Sequence, residues 1–447
     1  MKSFLAFALL AAALALGAAA SATTGKVPSF AAAKRYAVPP AAGCGRCAHS
    51  TVIRDVDGEG RPDIVTVNDD ETISVFIAKS DGTLGSRRDY LASADPADAA
   101  IADLNRDAHA DVAVVDRGGF VTVFLNKGDG TLAGKQDYAA GSSPVSIAAG
   151  DLDGDGSADL VVTGSGSVSV LRNNGAGAFA AQGDYPVGGD GDNAVSVALG
   201  DLNGDGKPDV VTGNGNRNVS VLLNKGDGTL QPARNYDASG AVSVALGDLN
   251  GDGKVDVATA NEGGVSVLLN AGDGTLRRRR VYDVLGTYNS SAGPQSIAIA
   301  DLNGDHRADL MTANSDRRVS LLVNDGAGKF QTTIDVGTGK CGEVFENDHG
   351  LATGDLNGDG RADPAVASRG GLCVALAKPG LCNVQDVRGL KVPEAKALLA
   401  RAHCRVGAIR RARSQLFHRG QVSAQRPGFG GALSAGAKVT LVVSLGR

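Results

Sequence analysis

The sequence predicts an all-β fold, a seven-bladed β-propeller whose N-terminal strand closes the last blade, followed by a small α+β domain. Three observations predict it. An acidic ten-residue loop occurs seven times at a spacing of roughly 50 residues, the range of propeller blades. Each copy lies among brief β-branched segments separated by Gly or Asn, the pattern of successive antiparallel strands. The 447 residues include 63 Gly, 4% aromatics and no Trp, which suits short strands and tight turns better than helices.

In chain order, Lys2 precedes an apolar run from Phe4 to Leu16 and then Ala20-Ser21-Ala22. This is the pattern of a secretory signal peptide over residues 1–22, cut after Ala22. The run is short and Ala-rich, and nothing later approaches ~20 uninterrupted apolar residues, so no stable membrane span is expected. Retention as an N-terminal anchor is the alternative. The expected location is extracellular or cell-wall associated, after bacterial-type export. Six cysteines, Cys44, Cys47, Cys341, Cys373, Cys382 and Cys404, make an even set that such a chain can pair fully.

The propeller is assigned to residues 27–380. Around the fourth loop, AVSVALG (194–200) precedes the acidic stretch, and DVVTGN (209–214) and VSVLLN (219–224) follow it. A fourth element follows a GDGTL-type turn, with an apolar residue six before a Tyr: Leu84 to Tyr90, Leu132 to Tyr138, Phe179 to Tyr185, Leu230 to Tyr236 and Leu276 to Tyr282. The sixth copy runs from Phe330 to Val336, without the Tyr. One copy, Phe30 to Tyr36, precedes the first loop, while the last blade stops after its third strand near LCVALA (372–377). The N-terminal strand is therefore expected to complete blade seven and remove the open edges.

Numbered from its first Asp, each loop places oxygen-bearing side chains at positions 1, 3, 5 and 9. The first three sets are Asp55, Asp57, Glu59, Asp63; Asp103, Asn105, Asp107, Asp111; and Asp151, Asp153, Asp155, Asp159. The others are Asp201, Asn203, Asp205, Asp209; Asp248, Asn250, Asp252, Asp256; Asp301, Asn303, Asp305, Asp309; and Asp355, Asn357, Asp359, Asp363. Hard oxygens in that number suit calcium, at up to seven sites, with Gly206 and its equivalents turning the chain at position 6. An EF-hand needs Glu at position 12, where Thr212 stands here, so the Asp at position 9 is expected to replace it. Ordinary Asx turns are the plain alternative. The second loop, with Arg106 and His109 and no glycine, and the first, with Glu59, depart most from the pattern. The seven loops hold 23 of the 49 acidic residues, and seven calcium ions would carry the formal charge from −5 to +9.

These DxNGDGxxD-type loops resemble FG-GAP or VCBS repeats, the blades of the calcium-binding propeller of integrin α subunits and many bacterial secreted proteins. The resemblance implies that the loops join strands one and two on one face, opposite the usual ligand-binding face. It is specific for fold and calcium, and much less so for function.

Residues 381–447 form a second unit. CNVQDVRGLKVPEAKALLARAHCRVGAI contains a short strand, Pro393 suited to a first helical turn, and a helix with Ala397, Leu398 and Ala402 on one face. Three β-like segments follow, around CRVGAI, GQVSAQRP and KVTLVVS. The landmarks VRGL, EAKALLARAHCRVG and GAKVTLVVSLG resemble a PASTA domain, with Gln385 where that family usually has Pro. The resemblance implies recognition of peptidoglycan or another wall glycan. Twelve Lys and Arg against Asp386 and Glu394 would attract anionic wall polymers, or simply form a solvated surface.

No phosphate-cradling loop, nucleophile elbow or zinc motif is found, and no nucleic-acid partner is expected. His49 and His349 stand at equivalent places in neighbouring blades, where a transition-metal or ligand site is weighed against side chains that point the same way round the ring. The cysteines are expected to pair as Cys44–Cys47, Cys341–Cys373 and Cys382–Cys404. The leading function is a monomeric, non-enzymatic extracellular binding or adhesion protein whose propeller ligand, protein or carbohydrate, is not written in the sequence. The alternative is a carbohydrate-active hydrolase or lyase using Asp190, Asp192 and Asp348.

Overall fold

The computed structural model describes residues 28, 30–38, 48–189, 193–215, 217–261, 263–284, 293–315, 318–337, 350–368, 371–378, 382–383, 387–401, 405–427, 432–433 and 438–446. Residues 1–22, expected to be a signal peptide, His349, Asp190, Asp192 and Asp348 lie outside them, as do Cys44, Cys47, Cys341 and Cys404. Among the described residues are seven four-stranded antiparallel sheets. Blade one consists of Ser50–Arg54, Asp63–Val67, Thr72–Ala78 and Leu84–Leu91. The inner strands of the others are Pro96–Ala102, Ser146–Gly150, Ala194–Gly200, Ser243–Gly247, Pro294–Ala300 and Leu351–Gly354. These touch one another in that order, and Leu351–Gly354 touches Ser50–Arg54, so the ring is closed.

Second strands such as Asp63–Val67 and Asp111–Asp116 are buried along their whole length, because each sheet is covered by a neighbour on both faces. Outer strands such as Leu84–Leu91 mix buried and exposed residues. Apolar clusters therefore lie between blades: Val65, Val67 and Val75 pack with Ala99, Ile101 and Val112 across the first junction. Leu302, Met311 and Val319 of blade six pack with Leu351 and Val366 of blade seven, with Phe30 against them.

Blade seven is completed by Lys34–Tyr36, which pairs antiparallel with the third strand in the register Lys34↔Val374, Arg35↔Cys373, Tyr36↔Leu372. The outer strands of blades four and five are shorter than their sequence period suggests, Arg234–Asp237 and Arg280–Tyr282, although Leu230 and Leu276 still bridge to Asn224 and Asn270. In blade four Pro232 interrupts the pairing by lacking an amide donor. Cys373, the one cysteine whose side chain is described, is buried and is not a free thiol.

In the tail, Arg405–Ala412 runs parallel to Lys438–Ser444, which pairs antiparallel with Val422–Arg426. The helix is Val392–Arg401, with Pro393 in its first turn and the Glu394 carboxylate accepting from the Lys391 amide at 2.9 Å. Its buried residues are Ala395 and Leu399, packed with Val387, Val422, Val439 and Leu441. The side chains of Ala397, Leu398 and Ala402 lie outside the described set. No described helix is long and apolar enough to cross a membrane.

Candidate metal centres

Each acidic loop joins an inner strand to the second strand of its blade, so all seven open on one face, beside the hairpins that join third and outer strands. Position 1 organises the loop. Asp201 Oδ1 accepts from Gly204 N at 2.7 Å and its Oδ2 from Gly206 N at 2.8 Å. Asn203 then accepts from Asp205 N at 2.8 Å, and Asp205 from Lys207 N at 3.0 Å. Asp248 and Asp301 hold their loops in the same way, and Asp355 accepts from Asp359 N and Gly360 N. These are Asx turns, and they curl the loop so that its side-chain oxygens are stacked along one inner edge. Turn formation and cation binding thus use the same residues rather than exclude each other.

The curl needs left-handed backbone at position 4 as well as position 6: Gly204 has φ 77° and Gly206 φ 81°. The second loop adopts it without glycine, through Arg106 at 64° and Ala108 at 69°, and the sixth places His306 at 64°. Each such residue costs about 1–2 kcal/mol, so these loops carry strain yet keep the shape of the rest.

Position 9 heads the second strand and is buried in every copy. Asp209 Oδ2 accepts from Leu202 N at 3.0 Å and Oδ1 from Asn224 N at 2.8 Å, tying the loop to the third strand. Burial pushes these carboxyls up, with the nearby loop acids adding to it against the pull of the amides. Asp63, Asp111, Asp159, Asp256 and Asp363 reach about 6, Asp309 about 7, and Asp209 is also raised.

Among the described residues, carboxylate oxygens of Asp55, Asp57 and Asp63, and of Asp151, Asp153 and Asp159, converge to within 4.8 Å. These are the two loops with Asp at position 3; the other five have Asn, whose amide oxygen is a neutral donor. Position 5 stands apart in both. Glu59 pairs with Arg61, and Asp155 lies 3.1 Å from the Arg106 guanidinium of the second loop. Arg172 also pairs with Asp153. The all-oxygen donor sets fit a hard cation of the calcium type. In the third loop, Arg106 and Arg172 must swing aside before one cation can take all four carboxylates.

Arg106 was not legible as a partner of Asp155, although a signal exists. Position 7 in blades four to six is Lys207, Lys254 or Arg307, each donating to a carbonyl of its own hairpin, Lys225, Ala271 or Asp325. Blade three has the small Ser157 there, and Arg106 of the preceding loop lies over Gly175 instead.

Three contacts that tie blades together were also missed. Asn126, at the end of a third strand, donates to Val56 O in the preceding acidic loop at 2.6 Å. Asn173, Asn224, Asn270 and Asn324 do the same to Leu104, Leu152, Leu202 and Leu249. Outer-strand tyrosines reach the next hairpin: Tyr138 donates to Gly177 O at 3.0 Å, and Tyr90 accepts from Leu132 N at 3.2 Å. Around the axis, Ser146, Ser196 and Ser243 accept from Val197, Val244 and Ile297 amides of the next blade. The Asp98 carboxylate fills the equivalent place, accepting from Ser50 at 2.7 Å and Ser146 at 2.9 Å.

His49 has Nδ1 3.1 Å from Asp69 Oδ1 and Nε2 2.6 Å from Pro96 O. It is aimed at blade two with both ring nitrogens engaged, which leaves no nitrogen free for a metal.

The FG-GAP-like repeat family matches residues 55–114, 103–162, 151–212, 201–259, 248–312 and 301–366, and the PASTA domain family matches residues 383–445. No curated protein matches the chain. Among solved structures, an Agrocybe aegerita lectin recognising non-reducing terminal N-acetylglucosamine is 23% identical, with a TM-score of 0.50 over 65% of this chain and 81% of its own. BBS1N, solved in complex with ARL6DN and soaked with mercury, is 14% identical with a TM-score of 0.51, over 75% of this chain and 94% of its own. These likenesses concern the fold.

Proposed function

The chain belongs to the FG-GAP-like repeat family and carries a C-terminal PASTA domain, and on that premise we propose that it is a secreted, non-enzymatic binding protein. The acidic loops hold calcium, the opposite face of the disk binds the ligand, and the tail engages cell-wall glycan.

One observation carries the assignment of the ligand face. The connections between blades run from an outer strand to the next inner strand, away from the acidic loops, and most are short, such as 92–95 and 238–242. The three longest, 283–293, 338–350 and 37–49, follow one another around the ring at the junctions from blade five to blade one. The acidic face keeps the same ten-residue loop seven times. Rigid repetition on one face and local elaboration on the other is how a scaffold presents a binding site.

The lectin that shares the fold makes glycans the first ligand class to test. The mature protein is applied to a glycan array in calcium, beside a variant in which residues 285–292 become a short Gly-Ser linker. Saturable binding by the parent and its loss in the variant, at unchanged calcium content, supports the reading. Cleavage of a bound glycan, seen by mass spectrometry, replaces it with the enzyme alternative. For the tail, sedimentation with purified peptidoglycan at low and ~1 M salt separates a charged surface, whose binding screening abolishes, from a specific groove.

A further inference from the structure

The junction between blades six and seven contains an apolar cavity of about 240 Å³, lined by Phe30 to Ala33 of the N-terminal segment, Met311 and Val319 of blade six, and Pro364, Val366, Cys373 and Ala375 of blade seven. Its origin is visible in the repeat. At four other junctions an outer-strand tyrosine packs on a phenylalanine of the next blade, with ring centroids 5.3–6.4 Å apart: Tyr36–Phe76, Tyr90–Phe124, Tyr138–Phe179 and Tyr282–Phe330. In blade six Val336 takes the tyrosine's place, pairing with Val319 as Tyr90 pairs with Ile73. In blade seven Phe30 holds the position of Phe179 and Phe330, but Ala375 stands where those blades have Leu171 and Leu322, two residues before the end-of-strand position held by Asn173, Asn324 and Ala377. Residues smaller than their counterparts thus stand in both blades at this junction, and the cavity opens there.

We propose that this cavity is a binding site for a small neutral single-ring aromatic molecule of the phenol class. The lining side chains are apolar, so water gains little from them, and a cavity of ~150 Å³ already takes benzene. Phenol is favoured over benzene by the same repeat. Phe30 occupies the position of Leu84 and Leu132, whose amides donate to the hydroxyls of Tyr36 and Tyr90 at 3.0 and 3.2 Å. A phenol hydroxyl lying as those tyrosines lie would meet the same edge of backbone. The outer wall is thin, since Ala32 is exposed on its far side, which gives a ligand a short path through the N-terminal segment. Neither the acidic loops nor the opposite face takes part, so the site is independent of the function proposed above.

The test uses the full mature chain in calcium. A fluorinated phenol is titrated and followed by ¹⁹F NMR, with thermal melts in phenol and in benzene alongside. Saturable binding with Kd on the order of 1 mM is expected, with a rise in melting temperature of about 2 °C at several-fold excess over Kd. Phenol should act at lower concentration than benzene. Ala375→Phe and Val319→Phe each fill part of the space from opposite sides, and each is expected to weaken binding at least tenfold while raising the melting temperature without ligand. Both are made so that a folding defect in one leaves the other to decide. Absence of saturable binding to the parent protein, or equal binding in every folded variant, overturns the proposal.

Discussion

The junction of blades two and three and the junction of blades six and seven are built from the same repeat but are not held alike. At the former, Tyr138 bonds to Gly177, Asn173 bonds to Leu104 in the acidic loop behind it, and Ile147 N meets Asp98 near the axis. At the latter, Val336 replaces the tyrosine and Ala377 the asparagine. The junction of blades seven and one keeps Tyr36, which accepts from Leu84 N, but has Ala78 for the asparagine and Gly350 for the axial serine. Among the described residues, blade seven, assembled from the first and last strands of the propeller, is therefore the least tied on both sides. A net hydrogen bond is worth about 1 kcal/mol, so the missing contacts amount to a local weakness rather than a general one. Regions with fewer such ties open first.

The largest expected effect comes from removing the closing strand. Deletion through Tyr36 exposes the Gly371–Val374 edge and removes the one tyrosine tie that blade seven keeps. The outcome expected is loss of a cooperative thermal transition and self-association through the open edge, measured by calorimetry and size-exclusion chromatography. A monomer with an unchanged melt would show that the ring does not depend on its seam.

Calcium removal comes next, since each site held at ten times its Kd contributes about 1.4 kcal/mol. Chelation should lower the melting temperature and millimolar calcium restore it. Hydrogen exchange should quicken in Gly371–Val374 before Asp209–Asn214. The pH dependence should reverse with the ion. Without calcium, burial holds the position-9 carboxyls above their unfolded value of about 3.9, Asp63 at about 6 and Asp309 at about 7, so their contribution is fully present below about 3.9 and is lost as pH rises from there through the folded values. With calcium, protons compete for the same carboxylates, so stability should rise over that range. Melts at pH 5 and 7.5, each with chelator and with calcium, check both signs; parallel trends would mean that these carboxyls hold no ion. Asp205→Ala should remove one bound calcium and leave the others, as counted by elemental analysis.

The Cys341–Cys373 pairing expected from the sequence should matter less than the ions taken together. Pairing of Cys373 with Cys341 is expected to contribute about 2–4 kcal/mol. Cys373→Ser should bring forward exchange in blade seven and leave blade three unchanged. Non-reducing peptide mapping that links Cys47 to Cys341 would reject this pairing.

The ring, its closure and the loop residues were legible because the repeat recurs along the chain, and because brief β-branched segments stand at fixed distances from each acidic turn. The Asx turns were legible as an alternative and proved to be the means by which the loop curls. What stayed hidden is what one blade does to the next. Asn173 reads as a strand-ending residue until the ring brings Leu104 O within 2.8 Å of its side chain, across 69 residues of sequence. Arg106 reads as a defect in the second loop, and its partner Asp155 belongs to the third. His49 shows the converse: two histidines at equivalent repeat positions suggested a shared site, and the described one is held between Asp69 of its own blade and the Pro96 carbonyl of blade two.

The finest comparison exchanges one residue between strong and weak junctions. Asn173→Ala leaves the buried carbonyls of Leu104 and Ala158 without the amide that serves both, at 2.8 and 2.9 Å, and should cost about 1–3 kcal/mol. Ala377→Asn makes the opposite change. Its backbone already matches, because the Ala377 amide donates to Asp363 Oδ1 as the Asn173 amide donates to Asp159 Oδ1. The new side chain is placed to reach the carbonyls of Leu302 and Ala362, the counterparts of Leu104 and Ala158. The expected gain is about 0.5–1.5 kcal/mol, smaller than the loss at Asn173 because the weak junction has adapted to an alanine. Equilibrium denaturation of both variants in calcium measures the pair. If Ala377→Asn destabilises the protein as much as Asn173→Ala does, blade seven is packed around its alanine, and its weakness lies in the cavity rather than in the missing hydrogen bond.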